Sequence, residues 1–550
     1  MAKTPTGFSR RALMGAAAVA AVVGCTAFSL RGGPSLTRRS ISDDKTLNRG
    51  NNAEPDSLDP QKIQTTWENN IVGDMFMGLL TEDAAANPVP GAAESYVQSA
   101  DGLTYTFKIR DHHWSDGVPV TAHDFVFSLR RILNPKTAAP YASLLFPIKN
   151  AEDINGGKLP GTELGVRALD DRTLEMTFAF QVPYLPQLLT HYTMMPVPQH
   201  VVEKHGDQWL RPENIAVNGT YKLKEWIPND HITLTRNPRF YDVKNARIET
   251  VNFYPTQDYS AALKRFRAGE LDTSGGVPSS EIEWLRNKLP GVLRVAPWIS
   301  VQYVGFNFTT APFNDLRIRQ AVSLGIDREI IATKVMRAGE TAAYSFVPPH
   351  MPGYPGKAQV AFRNTPMPAR IAKAKALLAE AGYGPNNPLA FDFAYQDQTD
   401  RKLIAVALQS MWKNIGAQVR LVPADAQVHY NQLRRQHFQA AWSGWVADYR
   451  DAKDFLFVAQ TSSKDMNAGR YSDPKFDALM AQSDITRDPI VRQGLLQQAE
   501  QIMLDDVALA PVINDVSRAI VSKQVKNWTD NDVTINRTRY LSLNRSIADV

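Results

Sequence analysis

At 550 residues the chain exceeds the ~250–300 residues that one hydrophobic core usually serves, so at least two domains are expected. With 43% apolar and 21% charged residues it is ordinary globular material. Of the net charge of +5, Lys3, Arg10 and Arg11 supply three within the first 24 residues, where no acid stands. The remainder is close to balance, which argues against a polyanion-binding face and excludes nucleic acid from the expected partners.

Ser9-Arg10-Arg11-Ala12-Leu13 precedes an apolar run, Ala16 to Val23, that is too short for the ~20 residues a bilayer span needs. This pattern predicts an export signal over 1–24. It resembles the twin-arginine type, with Leu13 where that pattern prefers Phe, and Val22-Val23-Gly24-Cys25 resembles a lipobox. In that reading Cys25 becomes the lipid-carrying first residue of the mature protein; cleavage after Ala27-Phe28-Ser29 is the alternative. Cys25 is the sole cysteine, so the mature fold is expected to lack disulfides and Cys-based zinc sites. Residues 25–46 read as a flexible tether, a coil reaching about 25 Å.

The folded part is expected to begin near Leu47. From Gly102 to Arg110, Leu103, Tyr105, Phe107 and Ile109 alternate with polar residues, the period-2 pattern of a half-buried strand. Trp114-Ser-Asp-Gly-Val-Pro119 is a turn by composition, and Thr121 with Asp124 three residues later predicts a capped helix burying Phe125, Leu129, Ile132 and Leu133. A second strand is predicted over Leu174 to Phe180. Further on, a helix from about Ser260 stops at Gly269, and another carries Ile318, Ala321, Val322 and Ile326 after a Pro312-Asn314-Asp315 loop. Helices over Ala369–Ala381 and Lys402–Ile415 end at Gly382 and Gly416, and Gln418 to Val422 returns as a strand. Helices alternating with short strands argue for α/β domains.

Trp442 to Phe455 carries the chemistry. Asp448 follows an apolar run between Trp445 and Tyr449, so its carboxylate lies against low-dielectric walls and calls for a cation. A ligand ammonium is one candidate. The other readings are a helix cap or a pair with Arg450.

Several segments stand out in order along the chain: Tyr105-Thr-Phe-Lys-Ile-Arg110; Trp114-Ser-Asp-Gly-Val-Pro-Val-Thr-Ala-His-Asp-Phe125; Asn218-Gly-Thr-Tyr221; and Arg236-Asn-Pro-Arg-Phe-Tyr-Asp242. Phe266-Arg-Ala-Gly-Glu-Leu-Asp272, Ala311-Pro-Phe-Asn-Asp-Leu-Arg-Ile-Arg319, Ile326-Asp-Arg328 and Gly444-Trp-Val-Ala-Asp-Tyr449 complete the set. In this order they resemble the solute-binding proteins of peptide ABC importers, the oligopeptide and dipeptide class, and the resemblance covers nearly everything from Leu47.

The resemblance implies an α/β, two-lobed periplasmic binding protein-like fold of class II type, with an additional small domain inserted in one lobe. Lobe I would comprise 47–80, 205–300 and 516–550, the additional domain 81–204, and lobe II 301–515. Such a clamp would close on an extended short peptide, with strand-like backbone pairing supplying affinity and hydrated pockets receiving side chains. Carried over by position, Asp448 would hold the peptide's α-amino group, Gly444 and Val446 would offer backbone groups, and Trp445 would wall a side-chain pocket. Tyr141 and Thr66 fall at further contact positions. Gln64, Trp442 and Asp400-Arg401 depart from the family's pattern of basic and acidic residues, which leaves Arg434 and Arg435 as local candidates for the peptide carboxylate.

An enzyme is the competing class, yet no Gly-x-Ser-x-Gly elbow, His-Glu-x-x-His pair or Walker A loop occurs. His112-His113 and Asp170-Asp171 diverge in direction as sequence neighbours. The expectation is therefore an exported monomer, periplasmic or at the cell surface, anchored by lipidated Cys25, without cofactor or metal, delivering peptides to the membrane permease subunits of an ABC importer. The resemblance also leaves room for another ligand, such as a cell-wall peptide, a nickel chelate or haem.

Overall fold

The computed structural model describes residues 45–349, 351 and 353–546. Cys25 and the predicted export signal lie outside them, as does most of the predicted tether.

An eleven-stranded mixed sheet forms the backbone of the molecule. Its order runs Gln418–Ala424, Ala390–Gln396, Ala440–Val446, Leu293–Phe306, Leu509–Val521, Thr273–Gly275, Thr46–Gly50, Thr250–Tyr254, His231–Arg236 and Tyr221–Ile227, with Thr341–Ala342 added beside Leu509–Val521. Two antiparallel strands of 14 and 13 residues, Leu293–Phe306 and Leu509–Val521, are common to both halves. At ~3.3 Å per residue each is about 45 Å long. Their pairing breaks register between Pro297 and Val301. On one side of the break Ser300–Phe306 pairs with Ala440–Val446, and on the other Val521 to Ala519 pairs with Thr273–Gly275. Ile299, at the break, donates its N–H to Asp532 O (2.8 Å) and accepts from Ala447 N–H (2.9 Å).

One buried cluster lies wholly in the half beyond the break, while a larger one draws on both halves. Beyond the break Phe306, Phe313, Phe391, Phe393 and Trp412 meet at ring separations of 4.9–5.5 Å, and Trp412 satisfies its buried Nε1–H on Val322 O (2.9 Å). Burying each such ring contributes about 2–3 kcal/mol. The larger cluster takes in Leu47, Ile71, Phe107, Phe125, Tyr221 and Phe253.

A separate four-stranded antiparallel sheet, Ala93–Gln98, Thr104–Ile109, Thr173–Thr177 and Val166–Asp170, packs under the helix Ala122–Leu133. Tyr105, Phe107 and Ile109 face its core while Lys108 is exposed, as the alternation predicts. The strand starts at Thr104 rather than Gly102, because Ser99–Gly102 forms a turn with Gly102 at φ +75°. Thr121 and Asp124 form the capping box, and all four predicted apolar residues of that helix are buried. The later helices run Tyr259–Arg267, Leu316–Leu324, Met367–Glu380 and Thr399–Lys413. Their predicted stops at Gly269, Gly382 and Gly416 adopt φ of +74°, +89° and +92°, a conformation glycine enters without a Cβ penalty.

Candidate functional site

Strand Ala440–Val446 is flanked on both sides only at its start. Ala390–Gln396 pairs with it at Ala440 and Ala441 and then departs, so among the described residues its later part has a partner on one side alone. Ala440, Ala441 and Trp442 are buried, and Ser443 to Val446 are half-buried. Antiparallel pairing alternates the direction of backbone groups. Ala447 donates toward Ile299, which turns the N–H and C=O of residues 443 and 445 to Leu293–Phe306 and those of Gly444 and Val446 to the open edge. A Cβ on Gly444 would come within 2.5 Å of Gln302 Oε1, so glycine is what allows the Gln302 side chain to lie across the strand. Gln302 in turn accepts from Arg401 Nη1 (2.7 Å), whose guanidinium lies 6.0 Å from the Trp442 ring. Trp442 is only 2% exposed, which makes it a core residue rather than a wall of the cleft.

Asp448 stands two residues beyond the open edge. The chain around it is pinned by ion pairs to distant elements. Arg450 forks onto Asp532 and donates to Ala86 O, Arg492 forks onto Asp451 at 2.7 and 3.0 Å, and Lys453 pairs with Asp484. Arg450 is therefore no partner of Asp448. Tyr449 stacks on Tyr184 at 4.5 Å and 11°. Asp448 itself has a side chain 16% exposed, with Oδ1 3.3 Å from His191 Nε2 and a buried Oδ2 that has no hydrogen-bond partner. His191 Nδ1 lies 2.8 Å from Thr193 Oγ1 and 3.4 Å from Thr193 N, and its Nε2 is the ring nitrogen that faces Asp448.

Beneath Asp448 is a second carboxyl that sequence reasoning missed. Asp454 is fully buried; its Oδ2 accepts from Asp448 N–H (3.0 Å) and Trp445 Nε1–H (3.2 Å), while Oδ1 has no partner. Burial, reinforced by the nearby Asp448 charge, holds it well above the usual carboxylate range. Aromatic rings enclose the pair: Tyr141 lies 6.2 Å from Trp445, 5.9 Å from Tyr192 and 5.5 Å from His191. Burial and Asp448 push the Tyr141 and Tyr192 phenols well up, so both stay protonated.

Of the remaining predicted residues, Arg434 lines a cavity of about 350 Å³. Asp56, Gln64, Trp67, Pro140, Tyr430 and Arg434 line it, and the Trp67 and Tyr430 ring centroids are 6.1 Å apart. Thr66 is the half-buried first residue of the helix Thr66–Met75; its neighbours Thr65 and Trp67, rather than Thr66 itself, reach the cavity. Arg434 donates to Asn431 and faces Asp56 at 4.0 Å. Structure thus gathers Asp448, Trp445 and Tyr141 at one place, sets Gly444 and Val446 along the edge leading from it, and assigns Arg434 to the cavity. Among the described residues no His, Cys, Asp or Glu group is arranged to hold a metal ion.

Comparison with known proteins gives a consistent answer. Residues 87–467 match the family model of the bacterial extracellular solute-binding proteins, family 5. The chain is 38% identical over 532 residues to the periplasmic oligopeptide-binding protein OppA of Salmonella typhimurium, covering 96% of this chain and 97% of that one. Among solved structures, Haemophilus influenzae OppA in complex with RPPGFSPFR superposes with a TM-score of 0.89 at 36% identity, covering 91% and 99% of the two chains. The Escherichia coli murein tripeptide binding protein MppA gives 0.88 at 31% identity over 91% and 99%, whereas an unliganded open form of MppA gives 0.63 over 91% and 98%. The chain has the mixed α/β, two-lobed periplasmic binding fold of these relatives. The chain belongs to the bacterial extracellular solute-binding proteins of family 5.

Proposed function

We propose that this chain is the extracytoplasmic receptor of an ABC importer and captures short peptides by their free amino end. One observation carries the reading: an open strand edge at Gly444 and Val446 leads to a carboxylate, Asp448, whose Oδ2 is buried without a partner. A peptide laid along that edge gains backbone hydrogen bonds whatever its side chains, and its ammonium supplies the charge that Asp448 lacks. The names of the relatives, oligopeptide- and murein peptide-binding proteins, support the same ligand class. The present conformation superposes better on the first MppA structure than on the unliganded open one, as expected of a clamp with its lobes together. Ligand favours that state because only there does it touch both lobes.

The finer parts of the reading are proposals of the same kind. The lobes divide at about residues 300 and 515, and 81–204 form the additional domain. Cys25 carries the lipid anchor of an exported monomer that hands its ligand to membrane permease subunits. Capture and release involve no catalysed reaction.

Native mass spectrometry of the purified mature protein, followed by titration with di- to pentapeptides and their N-acetylated counterparts, tests the function. Co-purified heterogeneous peptides, together with loss of binding on acetylation, are the expected result. A single non-peptide ligand, or equal binding of acetylated peptides, overturns it.

A further inference from the structure

Asp454 stands out in the binding segment. Arg450, Asp451 and Lys453 each have an ion partner, and Asp448 Oδ1 faces His191 Nε2 at 3.3 Å. Asp454, fully buried one turn of chain further on, has none among the described residues. Its two oxygens are unequally used. Oδ2 takes the backbone N–H of Asp448 and the indole N–H of Trp445, so a single atom fixes both the ligand-binding carboxylate and the wall beside it. Oδ1 is buried and makes no hydrogen bond.

Two carboxylates this close in a ring-lined site do not both ionise while no cation is present. The charged or titratable groups facing Asp454 are Asp448 and Asp451, with the phenols of Tyr141, Tyr192 and Tyr449 around it. Asp451 is already compensated by Arg492, and the phenols stay neutral at physiological pH, so Asp448 is the charge that matters. His191 is the other titratable group at Asp448, with Nε2 3.3 Å from Oδ1 and Nδ1 against Thr193. A ligand ammonium at Asp448 changes this balance, since one cation can offset two carboxylates where it could not reach a distant one.

From this geometry we propose that Asp454 is the positioning residue of the amine site: it holds Asp448 and Trp445 in place, and it loses a proton to solvent when the ligand's ammonium arrives. The O–H bond of Asp454 breaks, water accepts the proton, and the ligand keeps its three ammonium protons. The proposal rests on the amine-capture reading above and adds its regulation. The liganded protein holds fewer protons than the free one, so affinity rises with pH and is lost as pH falls through the titration of Asp454. For a single linked proton the slope is at most about tenfold in affinity per pH unit. An acidified exterior then releases peptides, and a neutral one loads the receptor.

The test is isothermal titration calorimetry of the mature protein with trialanine and N-acetyl-trialanine, at about pH 5, 6 and 7, in buffers of different ionisation enthalpy. Native protein, Asp454→Asn, Asp454→Ala and His191→Gln are compared. Proton release is expected with trialanine on native protein and on His191→Gln, and is expected to be absent from Asp454→Asn. The amide of Asp454→Asn keeps an oxygen for both N–H groups, so this variant should recover affinity that Asp454→Ala loses. Selective binding of trialanine with proton release unchanged in Asp454→Asn, or abolished instead in His191→Gln, overturns the proposal and leaves amine capture standing. Equal binding of the acetylated peptide overturns amine capture itself, and the proposal with it. Should the Asp454 variants fail to fold, the native protein decides: a trialanine affinity independent of pH across the range overturns the proposal.

Discussion

The surroundings of Asp448 and of Arg434 are built differently. At Asp448 everything around the carboxylate is pinned: Tyr449 by a stacked tyrosine, Arg450, Asp451 and Lys453 by ion pairs, and the backbone by Asp454. At Arg434 a partly exposed guanidinium stands 4.0 Å from a partly exposed Asp56 on the wall of an open cavity. Under the proposed function, a rigid charge at Asp448 and a yielding one at Arg434 favour ligands that share an amino terminus and differ in length. Register would then be counted from the amine.

Breaking the support of the rigid end should have the largest effect. Arg492→Met leaves Asp451 buried and unpaired, and should lower stability by about 3–5 kcal/mol, read by chemical denaturation. A small change would mean that the ion pairs around Asp448 are not what holds it. Next comes the charge itself. Asp448→Asn should fold normally and weaken peptides with free amines by about 2 kcal/mol or more, with acetylated peptides little affected; calorimetry checks both, and unchanged affinity would remove Asp448 from the site. At the yielding end Arg434→Ala should shift the affinity of short peptides by no more than about 1 kcal/mol, as expected of a partly exposed pair at 4.0 Å. A loss as large as that from Asp448→Asn would show the two ends to be equally specified.

Those contrasts track what could be read from residues alone. Thr104–Ile109 and Ala122–Leu133 were legible because alternation and capping are local signals carried within a few residues. Asp448 was legible as a carboxylate between aromatic residues. Its surroundings were not, because His191 is 257 positions away and nothing in His191-Tyr192 marks it as a neighbour of the strand end. Arg450 shows the same limit: its nearness to Asp448 in sequence suggested a pair, and a fork onto Asp532, 82 residues away, took precedence. Asp454 did stand in the segment that drew attention. What hid it was direction, since only the fold turns its carboxyl back under Asp448. Trp442, a departure from the family pattern, proved to be core, and Arg401 came to lie over it, a relocation of charge visible only in three dimensions.

The strand Thr46–Gly50 sits deep inside the large sheet, between partners more than 200 residues further along the chain. Arg49 donates to Asn536 O and Thr538 Oγ1, and Arg545 donates to Thr46 O, so the first described strand is completed by nearly the last described residues. A chain threaded across a membrane from its amino end therefore cannot finish this sheet until almost all of it has emerged. Pairings of such sequence separation also form slowly. The same arrangement that seats the first strand at the centre ties completion of the sheet to the arrival of the far end of the chain.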